Sequence, residues 1–322
     1  MEQRTQAAGE AATVTGAGVA SLGGGLIHLA NGMEIACQTA TEARFLYHDI
    51  FEKQIYCRHG VSLEGAECVV DVGANIGLFT LFAARQCPGA RVWAFEPAPP
   101  LFEILRSNVE RYGVEAELFQ CGISEARGTA ELTFYPNSSG MSSFYADPEE
   151  EREALYHLMV NQLRRREPGM EEVMKHVDDL LAERLRSCTF ECPLYSLSDV
   201  IREHGIRRID FLKIDVQKSE IGVVRGIADE HWPRIRQLVL ELHNTEGRFH
   251  WLRGHLEKRG FRVLAEQEDS YRESNMLNVF ASRAQRDVVA KPRAAAAGEA
   301  RSRAEKMKSS RKRPRRNPIL HR

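Results

Sequence analysis

The segment Val69–Gly77, VVDVGANIG, and the later Trp93-Ala94-Phe95-Glu96-Pro97 constrain this chain more than any other feature. An apolar run enters a turn at Asp71-x-Gly73-x-Asn75-x-Gly77, and a second apolar run ends in an acid, Glu96. This is the layout of a nucleoside-cofactor site at the carboxyl ends of two neighbouring parallel strands. The glycines let the backbone pass close to a ligand. An acid after the second strand is placed to take both ribose hydroxyls.

The surrounding sequence keeps a strand–helix rhythm. Strands are expected at Glu67–Val72, Arg91–Phe95, Ala116–Cys121, Ile209–Val216 and Gln237–Leu242, with Phe261–Glu266 and Met276–Ser282 pairing as the closing strands. Helices are expected at Leu78–Gln86, Pro99–Tyr112, Glu220–Arg225 and Arg248–Arg259. Pro99 and Pro100 suit a helix start, and Gly113 and Gly260 suit helix ends. Before the first strand, Leu26–Cys37 alternates around Asn31-Gly32, a hairpin signal, and Thr41–Tyr56 has helical spacing. The expected fold is α/β: a mostly parallel, Rossmann-like sheet with an antiparallel last strand and helices on both faces.

One piece interrupts the rhythm. Thr129–Tyr135 and Thr189–Tyr195 are strand-like, and between them the charged insertion 147–187 reads as two amphipathic helices broken at Glu167-Pro168-Gly169. Such an insertion is a lid or substrate wall, a homodimer contact, or passive. The domain reading is an unstructured 1–25, a folded 26–282, and a basic, disordered tail 283–322.

The net charge of −1 hides that asymmetry: from Arg283 onward stand 14 Lys/Arg against 3 Asp/Glu, so residues 1–282 carry −12. The tail stretch KMKSSRKRPRR (306–316) lacks interleaved aromatics. A solvated tail is preferred over a nucleic-acid or targeting role, or docking to an acidic partner. No apolar run is long enough to span a membrane, and no secretion signal is read at the N-terminus. Seven scattered cysteines, with Cys188-x3-Cys192 lacking a second pair, read as reduced thiols of a cytoplasmic protein rather than a metal site.

A dehydrogenase turn needs G-x-G-x-x-G, but here the third glycine position holds Thr80. S-adenosylmethionine carries no phosphate, so a shorter polar turn suits it better. On that reading Asp71 meets the donor's ammonium, the turn Gly73, Asn75 and Gly77 approaches its methionine portion, and Glu96 takes the ribose diol.

The motifs D-V-G-A-N-I-G-x-F-T, A-F-E-P, Gly122-Ile-Ser-Glu-x-x-Gly128 and Ile209-Asp-Phe-Leu-Lys-Ile-Asp-Val216 with Glu220 resemble the FkbM-type methyltransferases, over about Ala40 to Ser282. Trp232-Pro233-x-Ile235 and Leu238–His243 resemble the branch found beside, or within, polyketide and peptide synthases. The resemblance implies a class I methyltransferase fold, S-adenosylmethionine as donor, and usually O-methylation. It also implies adenine near Gly122, a site role for Ser142 and Ser143, and a segment bearing Glu42 and Tyr56 that closes over the donor. Where many relatives have Asp-Val-Glu-Gly-x-Glu, this chain has Asp215-Val216-Gln217-Lys218-Ser219-Glu220, which weakens any metal proposal.

Asp215 ends an apolar strand at the position that faces the transferred methyl in this architecture. Glu241 and His243 share one face of the next strand, and His243 is the candidate general base. Asn244 follows as a substrate-binding candidate. Each has a plainer reading as a satisfied buried or strand-end residue. The expected activity is O-methyl transfer to a hydroxyl, or a carboxyl, of a free or carrier-bound secondary metabolite. The alternatives are an interaction protein working through its tail and a nicotinamide oxidoreductase.

Overall fold

The structure, a computed structural model, describes residues 24–268, 271, 272 and 274–283. The expected unstructured N-terminus and basic tail lie outside the described residues, apart from Gly24, Gly25 and Arg283. The order along the chain is β1 (Gly25–His28), β2 (Glu34–Cys37), α1 (Ala40–Tyr47), β3 (Cys68–Val72), α2 (Leu78–Gln86), β4 (Arg91–Phe95), α3 (Pro99–Arg111) and β5 (Ala116–Phe119). Then follow β6 (Gly122–Ser124), β7 (Gly128–Phe134), α4 (Pro148–Arg164), α5 (Met170–Met174), α6 (Val177–Arg184), β8 (Cys188–Ser196) and α7 (Leu197–Glu203). The chain closes with β9 (Phe211–Ile214), α8 (Glu220–Arg225), β10 (Gln237–His243), α9 (Arg248–Glu257), β11 (Arg262–Glu266) and β12 (Met276–Ser282).

The main sheet has seven strands in the order β11-β12-β10-β9-β3-β4-β5. β12 runs antiparallel to both its neighbours, and the other strands share one direction. The chain steps outward from β3 to β5, then returns to lay β9 on the other side of β3. That reversal opens a crevice at the carboxyl ends of the strands, where ligands of open α/β sheets bind.

Period-two alternation sends Val69, Phe211 and Val239 to one apolar layer and Val70, Leu212 and Leu240 to the other. On the first face α2 presses Phe79 and Phe82 onto the sheet. Asn108 of α3, wholly buried, ties this face to the hairpin: its amide donates to Ala36 O (2.9 Å) and Ile76 O (2.8 Å) and accepts from Ala36 N (2.8 Å).

Three expectations are corrected. The helix expected over Thr41–Tyr56 is α1, capped by Thr39, running into a wider π-helical turn at His48–Glu52. Gln54 at φ 52 stops it. The strand expected over Ala116–Cys121 ends at Phe119, and the residues just beyond it, Gly122–Ser124, form β6, which pairs with β8 in a separate three-stranded sheet of order β6-β8-β7. The insertion holds three helices rather than two, with Gly169 at φ 85 where the break was expected. Helix α7, begun by a reciprocal Ser196–Asp199 capping box, was not anticipated.

Candidate active site

The turn after β3 is closed upon itself. Gly73 N and Ala74 N donate to Phe95 O, Asn75 N to Glu96 Oε2, Ile76 N to Asn75 Oδ1 and Gly77 N to Ala74 O. No backbone N–H from Gly73 to Gly77 remains for a pyrophosphate, the group a dinucleotide turn must hold. Gly73 sits at φ +81, and an added Cβ there would fall 1.9 Å from the Asp215 carbonyl oxygen. β3 and β9 approach that closely because the side chain is absent.

Glu96 is fixed rather than swinging. Oε2 accepts from Asn75 N at 2.8 Å and Oε1 from Ala98 N at 3.0 Å. Burial pushes its carboxyl up to about 7, against the pull of those two N–H groups. Each oxygen keeps a lone pair for a ligand.

Glu96 borders a cavity of about 640 Å³ that also takes in Gly73, Asn75, Gly122, Asp215 and His243. Glu42, Tyr56, Ser142 and Ser143 line it as well. The volume lies within the range of small-molecule sites. Glu42 receives the Ser139 hydroxyl at 2.9 Å and Gly140 N at 2.8 Å, and Ser139 in turn receives Asn75 Nδ2 at 3.1 Å. The segment before β3 is thereby laced to the loop after β7. The hydroxyls of Ser142 and Ser143 are engaged: Ser142 accepts from Tyr135 N, while Ser143 donates to Gln217 O. At Gly122 a Cβ would lie 2.6 Å from Leu194 and 2.9 Å from Phe144, so the backbone itself forms the wall.

Three expected contacts are corrected. Asp71 does not reach the cavity: it is wholly buried, accepting the Thr80 hydroxyl at 2.7 Å and the Lys213 ammonium at 3.0 Å. Gly77 is not in the lining either. It starts α2 at φ +88, packed where a Cβ would meet Leu105 at 2.7 Å. Asn244 lies off the lining, its Oδ1 accepting from Phe249 N at the head of α9.

Lys213 is the residue that sequence reasoning missed. It sits opposite Asp71 in the parallel β3–β9 ladder, with Nζ also 2.9 Å from Gly73 O and 3.5 Å from Asp215 Oδ2. Burial alone would pull its ammonium down, but Asp71 and Asp215 outweigh it and hold the pKa above the usual lysine value. A single lysine inside the apolar run Phe211–Ile214 was the available signal.

Above it, the Tyr56 hydroxyl donates to Asp215 Oδ2 at 2.8 Å and lies 3.4 Å from Glu241 Oε1. Burial, then the charge of Asp215, raises the Glu241 carboxyl well above its ordinary value. His243, two residues on, presents its ring to the same cavity, with Nδ1 2.6 Å from Glu220 Oε1. The insertion supplies the facing wall through Leu155 and Leu158 of α4. Lys218 pins that helix, its ammonium 2.7 Å from Glu150 and 3.0 Å from Glu151. Among the described residues no group of three or more His, Cys, Asp or Glu is arranged to hold a metal ion. No helix among them is long and apolar enough to cross a membrane.

Residues 71–263 match the family model described as the methyltransferase FkbM domain. The chain is 42% identical over 258 residues to the 31-O-demethyl-FK506 methyltransferase FkbM of Streptomyces tacrolimicus, covering 80% of this chain and 96% of that protein. It is 37% identical over 264 residues to the AMB antimetabolite synthetase AmbE of Pseudomonas aeruginosa, covering 80% of this chain but 12% of that much longer protein. Methyltransferase sdnD of Sordaria araneosa is 34% identical over 241 residues, covering 71% of this chain and 85% of its own length. The matched region contains the turn, Glu96, Asp215 and His243, and the chain belongs to the FkbM family of methyltransferases.

Proposed function

We propose that the protein is an S-adenosylmethionine-dependent O-methyltransferase acting on a hydroxyl of a small-molecule secondary metabolite, free or carrier-bound. The observation that carries the reading is one cavity bordered by Glu96 at the end of β4 and by Asp215 and His243 at the ends of β9 and β10. Its residues suit this donor. Glu96 is a fixed bidentate acceptor for a ribose diol, and the turn's N–H groups are consumed internally, which suits a nucleoside without phosphates. Gly122 contributes backbone to the same wall, and Glu42 and Tyr56 cover the donor side from the segment before β3.

When bound, the donor supplies a methyl group already activated on a sulfonium. The protein then has to align the acceptor, exclude water and receive one proton. In this reading the loop residues Ser142 and Ser143 and helix α4 shape the acceptor side. Asp215, held by Tyr56 and Lys213, stands beside the reacting atoms, and His243 takes the hydroxyl proton. A carboxylate acceptor would need no such base. The occurrence of a matching segment within a synthetase supports a substrate drawn from assembly-line metabolism. We place the catalytic unit at 26–282, with the insertion as its substrate wall, in the cytoplasm.

Incubation with labelled donor and an extract of the host identifies the acceptor. Replacing His243 by Ala then reduces turnover about 100-fold or more with donor-product affinity unchanged. Undiminished turnover removes the base and favours a carboxyl acceptor. Calorimetry with S-adenosylhomocysteine and with NAD tests the donor: binding of NAD alone overturns the assignment.

A further inference from the structure

Glu220 has no part in the chemistry assigned so far. It opens α8, just beyond the carboxyl end of β9, and is wholly buried. Oε1 lies 2.6 Å from His243 Nδ1 and 3.1 Å from Lys218 N, while Oε2 is buried without any hydrogen-bond partner. Lys218 N also lies 3.4 Å from Nδ1, a long contact in which Nδ1 would accept, but the 2.6 Å contact to a carboxylate, which only accepts, outweighs it and places the imidazole proton on Nδ1, leaving the Nε2 lone pair. No protein group among the described residues partners Nε2, although the ring lines the cavity.

A buried carboxylate oxygen with no partner is costly unless positive charge appears beside it. The two ammonium groups near this end of the sheet are committed elsewhere: Lys218 Nζ to Glu150 and Glu151, and Lys213 Nζ to Asp71 and Asp215. Asp215, Glu241, Tyr56 and Tyr271 on the cavity are acids, and its two other bases, His157 and Arg184, stand on the insertion helices α4 and α6. The imidazole is the group left to pair with Glu220.

We infer that Glu220 is a positioning residue: it fixes His243 as the Nδ1–H tautomer and compensates the imidazolium formed when Nε2 accepts a proton. This rests on the base role proposed for His243. The proton passes from the acceptor oxygen to Nε2, the oxygen keeps the O–H electron pair, and the new positive charge lies against an anion already in place. That is the arrangement of a base oriented by a third group.

The test uses the full chain labelled with 15N-histidine, without donor or acceptor. Long-range 1H–15N spectra, with His243 assigned by its loss in His243→Gln, report the tautomer directly. The expected result is Nδ1–H in the parent protein and a shift toward Nε2–H in Glu220→Met, which keeps the length but cannot accept. With the acceptor found by donor labelling, Glu220→Met and Glu220→Gln both lower kcat about 10- to 100-fold. KM for the acceptor and affinity for S-adenosylhomocysteine stay within about twofold. If Glu220→Met does not fold, judged by its thermal melt, the parent tautomer and the Gln variant decide. An Nε2–H parent, or unchanged kcat in Glu220→Gln, overturns the inference. Full turnover in His243→Ala instead defeats the base reading, whatever the tautomer.

Discussion

The Lys213 ammonium and the Asp71 carboxylate lie 3.0 Å apart, cross-strand partners with 3% and 0% of their side chains exposed. The pair props the glycine turn from beneath, because the same ammonium holds the Gly73 carbonyl. Two aromatic faces complete the enclosure, Tyr56 and Phe79, with ring centroids 5.3 and 5.6 Å from Nζ. Breaking a buried pair on one side strands the other charge. Lys213→Met is expected to lose about 3–5 kcal/mol in urea denaturation, and adding Asp71→Asn to recover a large part of it. Equal losses in the single and double variants would show that the lysine matters by packing alone.

Glu96 should make stability depend on pH, and donor binding too if it holds the ribose as proposed. Burial holds its folded carboxyl at about 7 against an ordinary value of 4.5, so between these values the folded protein binds more protons than the unfolded chain. The stability contributed at low pH is therefore lost as pH rises through that window, about 3 kcal/mol in all. Glu96→Gln should flatten the profile of the donor-free protein. A ribose diol favours the ionised carboxylate, so S-adenosylhomocysteine should release a proton on binding below pH 7 and bind more tightly as pH rises to it. Calorimetry in buffers of different ionisation heat reads this, and a proton-neutral association would remove Glu96 from the ribose.

Gly73 and Gly32 share φ +81 but not their surroundings. An alanine at Gly32 meets nothing within 4 Å, whereas at Gly73 it meets the Asp215 carbonyl at 1.9 Å. Gly32→Ala should cost about 1 kcal/mol from backbone conformation. Gly73→Ala should cost upward of about 3 kcal/mol and impair S-adenosylhomocysteine binding, because β3 must move from β9. Comparable urea midpoints for the two variants would contradict the close approach.

Lys218 adopts φ 63 while its ammonium pairs with Glu150 and with Glu151, which is 2% exposed. Removing the side chain frees α4 from the sheet, so trypsin should cut faster after Arg164, Arg165 and Arg166 in Lys218→Ala. Lys218→Gly loses the same pair but relieves the left-handed backbone, and should be about 1 kcal/mol more stable than the alanine variant. Parent-like proteolysis in both variants would mean that the helix is held without the lysine, by its apolar contacts and its hydrogen bonds to Tyr135 and Arg272.

The sheet was legible because its buried strands are short apolar runs that end in turn residues, as at Val69–Gly77 and Arg91–Pro97. Strand-end positions were legible too: Glu96, Asp215 and His243 follow from where the runs stop. Register across strands was not. Nothing in the local pattern says that Asp71 faces Lys213, and this pairing turns an expected ligand into a support buried beneath the turn. Asn244 misled in a related way, since a polar residue after a strand serves equally well as a bond to the next helix. The fate of Cys121-Gly122 depended on β8, which is distant in sequence and pairs with β6 in a separate sheet.

The insertion leaves and re-enters the fold at a single rung, where Phe134 of β7 faces Cys188 of β8. Antiparallel partners stand about 5 Å apart, so its two ends are as close as those of an ordinary hairpin. Its first residues are tied back to the site, Ser139 and Gly140 to Glu42, Ser139 to Asn75 and Ser143 to Gln217, so the exchangeable part is the helical stretch 147–187. If these helices form the acceptor wall proposed above, grafting the matching helices of a relative between the same loops should change the acceptor while leaving S-adenosylhomocysteine affinity as it is.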